Sequence, residues 1–129
     1  QVQDYAGNML DWRLVEANKP MYEFYRGLIA LRKAHPALRS PRGERAGFHR
    51  ALMPRGQGAV GCTINADKQY KDEPVFAVLL NAGATPATFS LPPGSWKQVI
   101  DGNGFLKEPE KVGREVTVPA ASGWLREEK

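Results

Sequence analysis

The chain has 129 residues, 42% hydrophobic and 25% charged, with a net charge of +4. That length fits one domain with a short appendage and can bury a core without disulfides or metals; no run approaches the ~20 apolar residues of a membrane span. The basic balance raises nucleic acid as a partner. However, the clustered arginines Arg39, Arg42, Arg45, Arg50 and Arg55 have only Phe48 among them, so the cluster reads as a solvated loop. The single cysteine, Cys62, cannot form an internal disulfide, and no Cys/His spacing suits zinc. No secretory leader is read at the start, and the opening Gln1-Val2-Gln3 lacks a methionine, which predicts further residues upstream.

Residues 1–18 are mixed and polar, with Gly7, Asn8 and Trp12, and read as a loop with one irregular turn. A helix then opens at Lys19-Pro20, because proline is tolerated in a first turn where its missing N–H has no partner to lose. Met21, Phe24, Tyr25, Leu28 and Ile29 follow at i, i+3, i+4, i+7 and i+8, which predicts one apolar stripe. Arg32 and Lys33 suit the negative end of the helix dipole, and His35 before Pro36 is pushed out of the helical region.

After a linker over 38–45 the period becomes strand-like. Strands are expected over 47–52, 59–65, 75–81, 87–91, 95–101, 115–118 and 123–126, separated by Gly-, Pro-, Asn- and Asp-rich turns. Short strands at this spacing predict an antiparallel β-sandwich. The consecutive apolar positions 75–80 predict a strand covered on both faces, whereas Glu115-Val116-Thr117-Val118 alternates as a half-exposed strand does. Phe89, Trp96 and Phe105 are expected in the core.

No catalytic constellation is visible. His35 reads as a capping or packing residue, and His49 sits in an expected edge strand. There is no Gly-x-Ser-x-Gly elbow and no phosphate-binding loop; Gly102-Asn103-Gly104 is a turn. Sugar hydrolysis needs two carboxylates about 5–10 Å apart. Asp72-Glu73, Glu127-Glu128, Glu108 and Glu110 all sit in polar contexts and read as solvated surface.

The helix stretch Gly27-Leu28-Ile29-Ala30-Leu31-Arg32-Lys33-Ala34-His35-Pro36-Ala37-Leu38 resembles the last helix of the (β/α)-barrel in the α-amylase superfamily of glycoside hydrolases. Asn8-Met9-Leu10-Asp11-Trp12 resembles the superfamily's Asn-x-x-Asp-Trp stretch before that helix. Downstream, the apolar strand ending in Asn81, Leu91-Pro92-Pro93-Gly94-Ser95-Trp96 with Val99-Ile100-Asp101-Gly102, and Val118-Pro119-Ala120-Ala121-Ser122 resemble its carboxy-terminal sandwich, domain C. The pattern is most similar to pullulanase-type debranching enzymes. One departure is the polar ending Gly123-Trp124-Leu125-Arg126, where relatives are apolar.

The resemblance implies that residues 1–38 end a catalytic barrel and 39–129 form the sandwich. It implies a parent that cleaves α-1,6 bonds in α-glucans by a retaining mechanism, with its catalytic carboxylates upstream and none in this chain. The missing barrel and an α-glucan are the implied partners. Calcium occurs in many relatives and is expected, if anywhere, in the parent's barrel; no cofactor is expected here. Asp4, Tyr5 and Asn8 are the candidate substrate contacts, because barrel sites are built from the loops after the strands. Without the barrel, the stripe of Met21, Phe24, Tyr25, Leu28 and Ile29 is expected either to dock on its own sandwich or to pair two copies. The competing reading is a stand-alone carbohydrate-binding or interaction module, with Trp12, Trp96 and Trp124 as sugar platforms.

Overall fold

The computed structural model describes residues 10–39, 43 and 46–128. The elements are α1 (Arg13–Ala17), α2 (Lys19–Ala34), a 3-10 turn (Pro36–Leu38) and eight strands. The strands are β1 (His49–Leu52), β2 (Ala59–Ile64), β3 (Val75–Asn81), β4 (Ala87–Ser90), β5 (Trp96–Asp101), β6 (Gly104–Val112), β7 (Glu115–Val118) and β8 (Ser122–Glu128).

α2 has the expected span and caps. Pro20 lies in its first turn, Arg32 and Lys33 in its last, and His35 is extended at φ −120°, ψ 104°. α1 replaces the loop expected before it. The Asp11 carboxylate accepts the Arg13 backbone N–H at 3.0 Å and its guanidinium at 2.9 Å, which supplies a capping acceptor at the helix start. Asn18 then ends one helix and begins the next: its N–H donates to the Leu14 carbonyl, and its own carbonyl accepts from Tyr22.

All strand pairs are antiparallel. Six strands form one sheet in the order β1-β2-β3-β8-β5-β6, and β4 and β7 form a second, two-stranded sheet. The two sheets enclose Ala77, Leu79, Ala87, Phe89, Leu91, Trp96, Val116 and Val118. The larger sheet's other face carries Phe76, Val99, Ile100 and Leu125, and Phe24, Leu28 and Leu31 of α2 pack on it. The expected sandwich is therefore present, with unequal sheets and a helix as a third layer. β3 is covered on both faces, as its unbroken apolar run requires: Phe76 points to the helix layer, Ala77 and Leu79 to the sandwich. A register shift between Gln98 and Ile100 in β5 places both Val99 and Ile100 in the helix-side core.

Two glycines allow the layers to approach. A Cβ on Gly61 would lie 2.7 Å from Phe89 Cε1, so the β4 ring occupies that space across the sandwich. A Cβ on Gly27 would lie 2.7 Å from Phe105 Cε2, where α2 meets the β5–β6 hairpin.

Two asparagines close strand ends. The Asn81 amide donates to the carbonyls of Thr85, Val118 and Pro119, and its Oδ1 accepts from Gly83 N–H at 2.9 Å. Asn65 serves the β2–β3 loop in the same way, through the Tyr70, Glu73 and Pro74 carbonyls and the Tyr70 N–H. Replacing Asn81 with leucine orphans these buried groups and is expected to destabilise the fold by about 1–3 kcal/mol. A shift of the urea midpoint with an unchanged slope is the measurement; an unaltered midpoint would show the clamp to be idle.

Candidate functional site

The expected substrate contacts Asp4, Tyr5 and Asn8 lie outside the described residues. Among the described residues, no three His, Cys, Asp or Glu side chains are grouped to hold a metal. His35 pins the end of α2 to the β2–β3 loop. Its Nδ1 lies 2.7 Å from Glu73 Oε2, and its ring meets the edge of Phe76 at 5.1 Å. His49 is exposed against Phe48.

Several expectations about carboxylates and aromatics are corrected. Glu73 is not solvated surface: its side chain is 18% exposed and bonded to His35. Glu127 and Glu128 are half-buried in β8, where they face Lys97 and Trp96 of β5, because the last strand runs to Glu128 rather than ending at Arg126. Phe105 is 37% exposed instead of lying in the core; it sits on the sheet's edge strand, packed against Phe24 and Gly27 of α2. Phe89 and Trp96 are core residues as expected. Trp96 donates its indole N–H to the Pro92 carbonyl at 2.8 Å, so it is not a sugar platform. Trp124 is half-buried and donates to Ser122 Oγ at 3.0 Å, and Trp12 is exposed.

The polar ending of β8 has its own solution. Arg126 is 5% exposed; its Nε donates to Gln98 Oε1 on the neighbouring strand and its Nη1 donates to the Gly113 carbonyl at 3.0 Å. Burial lowers its pKa from the ordinary value.

Burial pushes the Cys62 thiol up. The reactive species is the thiolate, so a disulfide reagent at pH 8 should label the folded chain several-fold more slowly than the urea-unfolded chain. The sign for stability follows from the raised folded value. The contribution is present below the unfolded thiol's pKa and is lost as pH rises through the folded one. Equal labelling rates for the folded and unfolded chains would show that Cys62 is open to solvent.

The features that remain unspent are surfaces. The expected stripe of α2 divides: Phe24 and Leu28 are seated on the sheet, while Met21 (62%), Tyr25 (60%) and Ile29 (56%) stay exposed. The stripe is wider than one contact can use. Two depressions flank it. A largely apolar trough of about 310 Å³ is lined by Leu28, Leu31, Arg32, Leu80, Trp124 and Leu125. A groove of about 680 Å³ opens between the first turns of α2 and the β5–β6 hairpin, lined by Met21, Phe24, Asp101, Asn103, Phe105 and Ser122. Sequence reasoning missed this groove, because its two walls lie some eighty residues apart in the chain.

The architecture is thus a helix layer on an unequal antiparallel sandwich. No known family profile matches the chain. Among solved structures, the fold matches part of a pullulanase from Bacillus acidopullulyticus, with a TM-score of 0.79 and 24% identity over 94% of this chain and 15% of that one. It also matches part of pullulanase type I from Bacillus subtilis str. 168, solved in complex with maltose, with a TM-score of 0.77 and 24% identity over 93% of this chain and 17% of that one. The chain thus spans about one sixth of the length of these two enzymes.

Proposed function

We propose that the chain is the carboxy-terminal structural part of a pullulanase-type α-glucan hydrolase, whose parent enzyme cleaves α-1,6-glucosidic bonds. In this reading α2 is the last helix of the catalytic barrel, and the sandwich braces the barrel's end without contributing to the chemistry. The observation that carries the reading is the half-covered apolar stripe of α2. Its Phe24 and Leu28 edge already has a partner in the sheet, while the Met21, Tyr25 and Ile29 edge of the same stripe stays open to another layer. A helix with one partner in its own domain needs an apolar stripe no wider than that partner covers. The fold shared with two pullulanases supports the same conclusion.

The test expresses the chain together with the reading frame that precedes it in its source genome and measures the release of reducing ends from pullulan. Hydrolysis of pullulan is the expected result. A frame encoding no barrel, or a product inert towards pullulan, starch and glycogen, would sink the proposal.

A further inference from the structure

We propose that the groove between the first turns of α2 and the β5–β6 hairpin is a binding site for an α-linked glucan chain, an inference that rests on the function proposed above. Its volume of about 680 Å³ lies within the range that small-molecule sites occupy. Phe24 and Phe105 form its apolar floor, with ring centroids 5.7 Å apart and planes tilted by 54°. Partly exposed rings of this kind suit the C–H faces of a pyranose.

The rim supplies hydroxyl-binding groups. Asp101 Oδ1 accepts the Asn103 backbone N–H at 2.8 Å, and its Oδ2 has no protein partner among the described residues. Ser122 Oγ accepts from the Trp124 indole at 3.0 Å, so its own hydroxyl proton remains to be donated. The Asn103 amide and the Glu23 carboxylate complete the rim. No lysine or arginine lines the groove, while two carboxylates do. That balance rejects phosphates and other anions and favours a neutral polyhydroxyl ligand.

The linkage class follows from the substrate proposed for the parent, and position places the groove beside that substrate's cleft. In a (β/α)-barrel each helix begins at the face where its preceding strand ends, and that face holds the active site. The first turns of α2 therefore lie on the catalytic side of the proposed parent, and the groove is placed to hold a glucan chain that extends beyond the cleft.

The experiment titrates the ¹⁵N-labelled 129-residue chain with maltoheptaose, and separately with cellohexaose, followed by NMR. Saturable shifts with maltoheptaose, confined to residues 20–24, 101–105 and 121–123, are expected, with half-saturation of order 1 mM and no comparable response to cellohexaose. Asn103→Ala and Phe105→Leu should each weaken binding at least about fivefold with the remaining spectrum unchanged; Phe105→Leu retains an apolar contact against α2. An absence of shifts at about 20 mM sugar, shifts centred on Trp12, or equal affinity for cellohexaose would overturn the site. If the extended enzyme hydrolyses pullulan while the titration is blank, the groove assignment alone falls. If the titration is positive and α-specific while pullulan is untouched, the groove stands and the parent's activity falls.

Discussion

Replacing Phe89 with alanine is expected to destabilise the chain by about 3–5 kcal/mol, a large fraction of the stability of a domain this size. The ring is fully buried and is the main piece of the small sheet that reaches the large one. It fills the space left by the missing Cβ of Gly61, with Leu79 beside it. Alanine leaves a void between layers that the backbone of β2 cannot close, because β2 is tied on both sides by β1 and β3. A urea titration should show the midpoint falling sharply. Gly61→Ala approaches the same contact from the other wall, and since the ring then has to move it should lose about 1–3 kcal/mol by overpacking. A Phe89→Ala midpoint within error of the parent's would mean that β4 and β7 are not held by this core.

The second large effect depends on context. Tyr25→Lys with Ile29→Glu places two charges on the free side of α2. In the isolated chain both positions are exposed, so stability should change by no more than about 0.5 kcal/mol. Self-association should respond strongly. Sedimentation of the isolated chain is expected to show a concentration-dependent dimer formed through Met21, Tyr25 and Ile29, and the double variant should be monomeric. In the proposed parent enzyme the same two substitutions would bury an i,i+4 ion pair between helix and barrel, where desolvation outweighs its attraction, with an expected loss of about 1–4 kcal/mol in barrel stability. An isolated chain that stays monomeric at high concentration, together with a neutral double variant in the complete enzyme, would show that this helix face has no partner of either kind.

Much of this architecture was legible locally. Pro20, the apolar spacing and the His35-Pro36 stop define α2 because each acts within a turn or two of the chain. The strand ending at Asn81 and the alternation of Glu115–Val118 define β3 and β7 for the same reason. β6 could not be read in this way. Lys107-Glu108-Pro109-Glu110-Lys111 has no apolar period and contains a proline, and it is a strand only because β5 pairs with it. It lies at the sheet's edge, where proline and charge are tolerated, and the register with β5 breaks between Gln98 and Ile100. The division of the α2 stripe was hidden too, since sequence spacing shows an apolar face but not how much of it one sheet can cover. The groove depends on residues 20–24 meeting 101–105, a long-range juxtaposition that no local pattern encodes.

The placement of β8 bears on how the chain is made. It is the last strand in the sequence, yet it lies between β3 and β5, pairing with Val75–Asn81 on one side and Trp96–Ile100 on the other. During synthesis β1, β2 and β3 can pair as they emerge, and β5 with β6, but these halves have no seam until residues 122–128 leave the ribosome. Leu125 from the same strand also completes the floor under α2. Nascent chains must therefore wait with two open sheet edges and an unseated helix, the kind of intermediate that chaperones intercept. A premature stop even a few codons before Ser122 would yield two unjoined half-sheets rather than a slightly shortened domain, and such a product should be cleared by proteolysis instead of accumulating.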